Sequence, residues 1–145
     1  MFLILKRFYI LLAGLTIYLF SCNISKHSKS DVESAMKYYD HLILKLDADS
    51  IALLYTPDGN LGGIAVGRDS IKRFLASFRN IRVLSQASTT TSLKIIRDTA
   101  IQKGFYTQSD IVGKDTIKVR GEYTATWEWL TKGWHIKKMA TKSIN

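Results

Sequence analysis

The last third of the chain alternates hydrophobic and polar positions with a period of two. From Val119 to Trp129, glycine, apolar and aromatic residues occupy every second position, and charged residues or threonine occupy the positions between them. Such alternation is typical of a β-strand with one buried face. We predict that Tyr123, Trp127 and Trp129 share the buried face, and that the polar face meets solvent or a dimer partner. The reversed arrangement, in which the polar face lines a polar pocket, remains open at this point.

Neighbouring segments predict further strands of the same sheet. The segment from Val83 to Ile96 is rich in threonine, serine and β-branched residues, and residues 101–111 read as the next strand. A turn at residues 131–133, which contains a glycine suited to positive φ, leads into a last strand from Trp134 to Ser143. The pattern therefore predicts four long antiparallel strands.

Three helices are predicted before these strands. Apolar residues recur at helical spacing from Ser30 to Leu46, and a shorter helix, Ser50 to Tyr55, follows a cap at Asp49. Residues 57–59 read as a turn, residues 60–66 as a small pair of strands, and residues 67–80 as the third helix. Helices that precede an antiparallel sheet indicate an α+β domain.

The N-terminus reads as a targeting segment. Lys6 and Arg7 precede an uncharged apolar run, residues 8–20, which is shorter than the roughly 20 residues of a membrane-spanning helix. The run ends at Leu19-Phe20-Ser21-Cys22, which resembles a bacterial lipoprotein signal. We expect a signal peptide over residues 1–21, a lipid anchor on Cys22, a flexible tether over residues 22–29 and a domain over residues 30–145. The alternative is an uncleaved signal anchor. Either reading places the protein in the bacterial cell envelope, and the lipoprotein reading on its periplasmic or outer-membrane side.

Composition narrows the choice of partners. The formal charge is +9, and removal of Lys6 and Arg7 with the signal peptide leaves +9 − 2 = +7. The basic residues are scattered, which favours a solvated basic surface and no nucleic-acid partner. A single cysteine excludes an internal disulfide, and the three histidines lack metal-ligand spacing, so neither a metal nor a cofactor is predicted.

Several short motifs occur in a characteristic order and spacing: Tyr39-Asp40, residues 49–59, residues 67–71 with Phe74, Leu75 and Phe78, Gly121-Glu-Tyr123, Trp127 and residues 133–136. Together they resemble a SnoaL-like domain of the nuclear-transport-factor-2-like superfamily. The resemblance spans nearly the whole domain and implies a cone-shaped, strongly bent antiparallel sheet packed with three N-terminal helices. It also implies a pocket on the concave face, frequent dimerisation through the outer face and, in the enzymes, an Asp or His base with a Tyr or Asp donor.

Two carboxylates are candidates for a general base within this fold. Asp58, in the predicted turn, could gain a raised pKa at a pocket mouth, or it could simply form the turn. Asp110 shares a strand face with Tyr106, and is a base candidate if that face looks inward and a surface charge if it looks outward. Tyr55 is the candidate hydrogen-bond donor. The predicted ligand pocket consists of Tyr55, Tyr123, Trp127 and Trp129, all of which could instead be core residues.

Three functions are compatible with this sequence. The first is a lipid-anchored domain that binds a small, partly apolar molecule in its cone without catalysis. The second is an acid/base isomerase or dehydratase-type enzyme, and the third is a dimeric structural or partner-binding module. The aromatic strand face and the absence of an obvious acid/base pair in the sequence favour binding.

Overall fold

A computed structural model describes residues 26–144 of the chain. Its sheet has the strand order β2-β1-β6-β5-β4-β3. The predicted α+β fold, with three helices before four long strands, is confirmed. Within residues 26–144, no helix is long and apolar enough to cross a membrane. The elements are α1 (Lys29–Lys45), α2 (Ala48–Leu54), β1 (Tyr55–Leu61), β2 (Ala65–Val66), α3 (Arg68–Ala76), β3 (Ile81–Ile96), β4 (Thr99–Val112), β5 (Asp115–Leu130) and β6 (Gly133–Ser143).

The first two helices begin slightly earlier than predicted because other residues cap them. Ser28 caps α1, and the Ser28 hydroxyl accepts from the Asp31 N–H while the Asp31 carboxylate accepts from the Ser28 N–H. This reciprocal capping box satisfies two backbone donors at the helix start. Asp47 caps α2 in the same way by accepting from the Ser50 N–H at 3.1 Å. The predicted cap Asp49 therefore lies in the first turn of α2.

The prediction of a turn at residues 57–59 is wrong, because these residues lie within strand β1. β1 pairs with β6 in parallel, and the register passes from Tyr55↔Ile136 to Asn60↔Lys138. The step is 60 − 55 = 5 residues on β1 and 138 − 136 = 2 on β6, so β1 carries three surplus residues. The proline, aspartate and glycine form an irregular bulge there, and the strand continues beyond it. The parallel β1–β6 pair also makes the sheet mixed, whereas an antiparallel sheet was expected.

The aromatic face of β5 points into the core. Tyr123 is 4% exposed and Trp127 is fully buried, whereas Arg120 and Glu122 on the alternate face are exposed. Helix α1 packs across β3, and helices α2 and α3 pack against β1. Together the three helices cover this inner face. The structure therefore excludes the reversed arrangement, in which the polar face of β5 would line the pocket.

His27 joins the N-terminal segment to one end of the sheet. Its ring lies 4.3 Å from the ring of Trp129 and 5.1 Å from that of Trp134, and its Nε2 lies 2.9 Å from Asp98 Oδ1. The side chain is only 4% exposed. Residues 22–25 of the predicted tether lie outside the described residues, but at residue 27 the chain is already packed against the domain.

Candidate functional site

A cavity of about 200 Å³ lies between the inner face of the sheet and helices α1 and α3. For comparison, an apolar cavity of roughly 150 Å³ can hold benzene, and pockets for drug-sized ligands begin near 300 Å³. The volume therefore suits a molecule of about one substituted ring. The apolar part of the wall consists of Met36, Ile43, Leu61, Phe74, Leu75 and Met139.

Two tyrosines of the wall are seated on glycines of the neighbouring strand. Gly104 on β4 faces Tyr123 on β5, and Tyr106 on β4 faces Gly121 on β5. A Cβ added at Gly121 would lie 2.5 Å from Tyr106 Cε1, and one added at Gly104 would lie 2.8 Å from Tyr123 Cε1. Each phenol ring thus occupies the space over the glycine opposite it. A larger residue at either glycine would push the ring towards the cavity.

Asp40 of α1 orients the polar side chains that β3 contributes to the cavity wall. Its carboxylate accepts from Gln86 Nε2 at 2.9 Å, from Ser88 Oγ at 2.7 Å and from the Ser88 N–H at 2.8 Å. An ionised carboxylate only accepts hydrogen bonds, so the amide nitrogen of Gln86 must face it. The Gln86 Oε1 atom is buried and accepts from no described residue.

Asp110 of β4 orients a second glutamine in the same manner. Gln108 Nε2 lies 2.9 Å from both carboxylate oxygens of Asp110, and Gln108 lines the cavity. Asp110 itself is 8% exposed and shares the inward face of β4 with Tyr106. Of the two alternatives for Asp110, the structure thus shows the inward face, with the carboxylate behind Gln108.

A buried chain of hydrogen bonds connects the core to the cavity. Trp127 Nε1 donates to Gln102 Oε1 at 3.0 Å, and Gln102 Nε2 donates to Thr90 Oγ1 at 2.8 Å. The Thr90 hydroxyl lies 3.4 Å from that of Tyr123. An indole N–H can only donate, so it fixes the orientation of the fully buried Gln102 amide. Tyr123 is the cavity end of this chain.

Burial opposes the ionisation of Tyr39 and Tyr123 in the cavity wall and of Tyr55 in the adjoining core. It raises the pKa of Tyr39, a wall residue, to about 12, and it raises the pKa of Tyr55 well above the ordinary 10. Burial raises the pKa of Tyr123 as well. Neutral phenols can donate and accept hydrogen bonds but are poor bases near neutral pH. The cavity therefore offers neutral polar groups.

The structure brings one of the four predicted pocket residues to the cavity. Tyr123 lines it, whereas Tyr55 and Trp127 are fully buried in the core, and Trp129 packs against His27 and Trp134 at the end of the sheet. The other three occupy core positions, which was the alternative interpretation of the sequence. Large aromatic side chains at these positions fill the space that a ligand would otherwise occupy.

Asp58 lies away from the cavity, in the bulge of β1. Its carboxylate accepts from Lys137 Nζ at 2.6 Å and from the Thr56 hydroxyl at 2.9 Å, and its side chain is 69% exposed. Lys137, followed by Thr56, lowers the pKa of Asp58 below its ordinary value. The prediction that Asp58 could have a raised pKa is therefore wrong. Asp58, Asp110 and Tyr55 do not meet in one pocket.

Sequence reasoning missed most of the polar wall, namely Tyr39, Gln86, Ser88, Gln108 and Thr141. Two signals could have found part of it. The tripeptide Gly-x-Tyr occurs at residues 104–106 and again at 121–123, on strands that the pattern predicts to be neighbours. In the strand before them, Gln86 and Ser88 are polar at alternate positions of one face. Among the described residues, no group of three His, Cys, Asp or Glu side chains could hold a metal ion.

No protein-family model matches the chain, and no protein of curated function matches it significantly. Solved structures are similar to it. A ketosteroid isomerase-like protein from Erwinia carotovora atroseptica has a TM-score of 0.72 and 17% identity, covering 83% of this chain and 98% of that one. A nuclear-transport-factor-2-like protein with a cystatin-like fold from Novosphingobium aromaticivorans has a TM-score of 0.67 and 16% identity, covering 81% and 82%.

A proposed scytalone dehydratase from Novosphingobium aromaticivorans is also similar, with a TM-score of 0.69, 15% identity, and coverage of 80% of this chain and 83% of that one. Together these similarities establish the nuclear-transport-factor-2-like cone fold. This fold hosts unrelated functions, so the function of this chain has to be argued from its own cavity.

Proposed function

We propose that this chain is a SnoaL-like cell-envelope domain that binds a small, partly apolar, uncharged molecule in its cone. The cavity wall carries the proposal: among the described residues that line it, apolar side chains alternate with phenol, amide and hydroxyl groups, and none carries a charge. Such a wall can hold and orient a ligand. A proton-transfer catalyst would need a base within reach of the ligand.

Occupancy of the cavity can be tested with native mass spectrometry of the purified full chain. We expect a co-purified molecule of roughly ring size on the wild type and none on a variant with a filled cavity. Thr141→Trp is suitable, because Thr141 lines the cavity and is also exposed to solvent. Thr107→Trp, on the exposed outer face of β4, is the matched control and should retain the molecule. Equal occupancy in both variants would contradict binding in the cavity.

The lipid anchor on Cys22 belongs to the same proposal. Cys22 lies outside the described residues, but His27 fixes where the tether meets the domain. Five residues of extended chain reach about 17 Å, so a lipid on Cys22 would hold this end of the sheet close to the membrane. Radiolabelled palmitate should enter the wild type, and equal labelling of Cys22→Ala would refute the anchor.

An acid/base isomerase or dehydratase is the second candidate, and burial of Asp110 on the inward face is the observation that favours it. The names of two similar structures point to the same reaction classes. In this mechanism the Gln108 amide would turn away from Asp110, and the Asp110 carboxylate would take the proton directly from the ligand. Asp110→Asn should then abolish turnover of the molecule identified above, while Asp58→Asn should leave turnover intact.

The third candidate, a dimeric module, would use the outer sheet face, where Arg120 and Glu122 are exposed. Light scattering of the purified chain would distinguish a dimer from a monomer. A dimer that carries no small molecule would favour this candidate over ligand binding.

A further inference from the structure

We infer that the cavity recognises its ligand through a hydroxyl group and rejects anions. The inference rests on the proposed function, namely that the cavity binds a small molecule, and it specifies the chemical class of that molecule. A hydroxyl both donates and accepts, and the wall offers an acceptor and a donor that the protein does not use internally.

The acceptor is the amide oxygen of Gln86. Asp40 takes the amide N–H group at 2.9 Å, which turns Oε1 to the other side, where no described residue donates to it. A buried acceptor without a donor is costly, and a ligand hydroxyl beside it would remove that cost. Ser88 cannot supply the donor, because Asp40 also takes its hydroxyl hydrogen.

Gln108 repeats this arrangement on the neighbouring strand. Both carboxylate oxygens of Asp110 accept from Gln108 Nε2 at 2.9 Å. The amide oxygen of Gln108 is therefore the end of the side chain that does not bind Asp110. Two carboxylates behind the wall therefore orient two amides in the same sense. The β3 and β4 side of the cavity is consequently rich in acceptors and poor in donors.

The donor is the Tyr123 hydroxyl. Thr90 already accepts from Gln102 with its oxygen, so its own hydrogen can point at Tyr123, 3.4 Å away. Tyr123 then accepts from Thr90, and its phenolic hydrogen is available to a ligand. The Trp127 N–H, which can only donate, fixes the direction of the chain as far as the Thr90 oxygen.

Rejection of anions follows from the same groups. The protein has a formal charge of +9, which by itself would favour an anionic ligand. The cavity opposes this preference locally, because the carboxylates of Asp40 and Asp110 hydrogen-bond directly to wall residues. An anion placed there would face two negative charges and two amide oxygens.

Four ring-sized probes test the inference on the full chain in lipid nanodiscs. Phenol and toluene have the same number of heavy atoms and differ in the hydroxyl, and nitrobenzene and benzoate have the same shape and differ in charge. Binding is followed by NMR of ¹³C-labelled methionine methyl groups, because Met36 and Met139 line the cavity. Empty nanodiscs correct for partition of the probes into lipid.

Two variants each disrupt one of the two proposed ligand contacts, the donor Tyr123 and the acceptor Gln86. Tyr123→Phe removes the donor, with the exposed Tyr38→Phe as control. Asp40→Asn frees the Gln86 amide to turn over, with the exposed Asp69→Asn as control. We expect the phenol-to-toluene affinity ratio to fall about tenfold in Tyr123→Phe and several-fold in Asp40→Asn. Neither control should change it by more than twofold.

Nitrobenzene should bind the wild type at least tenfold more tightly than benzoate. An unchanged phenol-to-toluene ratio in Tyr123→Phe, or equal binding of nitrobenzene and benzoate, would overturn the inference and leave the proposed binding function standing. If none of the four probes shifts Met36 or Met139 in the wild type, ligand binding in the cavity fails, and the inference fails with it.

Discussion

The Gln102→Leu substitution tests the buried hydrogen-bond chain that reaches the cavity at Tyr123. Gln102 is fully buried, accepts from Trp127 at 3.0 Å and donates to Thr90 at 2.8 Å. Leucine has nearly the same volume, so the change removes polar groups without leaving a large void. The result therefore isolates the hydrogen bonds.

Three contributions set the magnitude. The Trp127 N–H is left without a partner in the core, which costs about 1–3 kcal/mol. The bond to Thr90 is also lost, at a cost of about 0.5–1.5 kcal/mol, but Thr90 keeps Tyr123 as a neighbour. Burial of apolar leucine in place of an amide returns about 1 kcal/mol. The unfolding free energy should therefore fall by roughly 2 kcal/mol.

Urea unfolding, followed by circular dichroism, measures this change, and Trp127→Phe supplies the control. In the Trp127→Phe background the indole donor is already gone, so the loss of the Thr90 bond is offset by the burial of leucine, and Gln102→Leu should cost close to 0 kcal/mol there, within about 0.5 kcal/mol. Costs that are equal in both backgrounds, or a cost below about 0.5 kcal/mol in the wild type, would refute the account of the chain.

Three further predictions concern stability. His27→Ala should lower the unfolding free energy by about 2 kcal/mol in a urea titration, because two aromatic contacts worth about 0.5–1.5 kcal/mol each are lost. An unchanged titration midpoint would contradict the packing of His27 against the end of the sheet. Burial raises the pKa of Tyr39 to about 12, so the folded state holds this proton more tightly. That stability is complete below pH 10 and is lost between about pH 10 and 12. Tyr39→Phe should make this part of the stability profile less steep, and the raised pKa values of Tyr55 and Tyr123 leave a remaining slope. Gly104→Ala should cost about 3 kcal/mol or more, because its Cβ would overlap the Thr89 carbonyl oxygen, whereas Gly133→Ala meets no atom within 4 Å and should change little.

The sequence predicted best where one physical rule decided the outcome. Alternation along β5 placed Tyr123 and Trp127 on the buried face because only one face of this sheet can meet the core. The turn-like residues 57–59 were misread because a proline, an aspartate and a glycine form both turns and bulges. Only pairing with Ile136 and Lys138, almost eighty residues later, shows that the strand continues through them.

The candidate site was harder to predict, because its geometry depends on contacts distant in sequence. Asp40 lies 46 residues before Gln86, and nothing local to the helix indicates that its carboxylate will orient a glutamine on β3. Similarly, His27 sits in a polar stretch that resembles a tether, and its aromatic partners follow about a hundred residues later.

The position of the cavity follows from how the inner face of the sheet is filled along its length. At the end where His27 docks, Trp129 and Trp134 pack against one another at 5.6 Å and against the His27 ring. Further along, β4 and β5 each present a Gly-x-Tyr tripeptide, and antiparallel pairing sets each tyrosine over the glycine of the other strand. The glycines draw both phenol rings back against the sheet, since no Cβ holds the rings away from it. Without this pairing the rings would extend towards α1 and close the space, so the same two tripeptides both create the cavity and supply two of its polar groups, the phenols of Tyr106 and Tyr123.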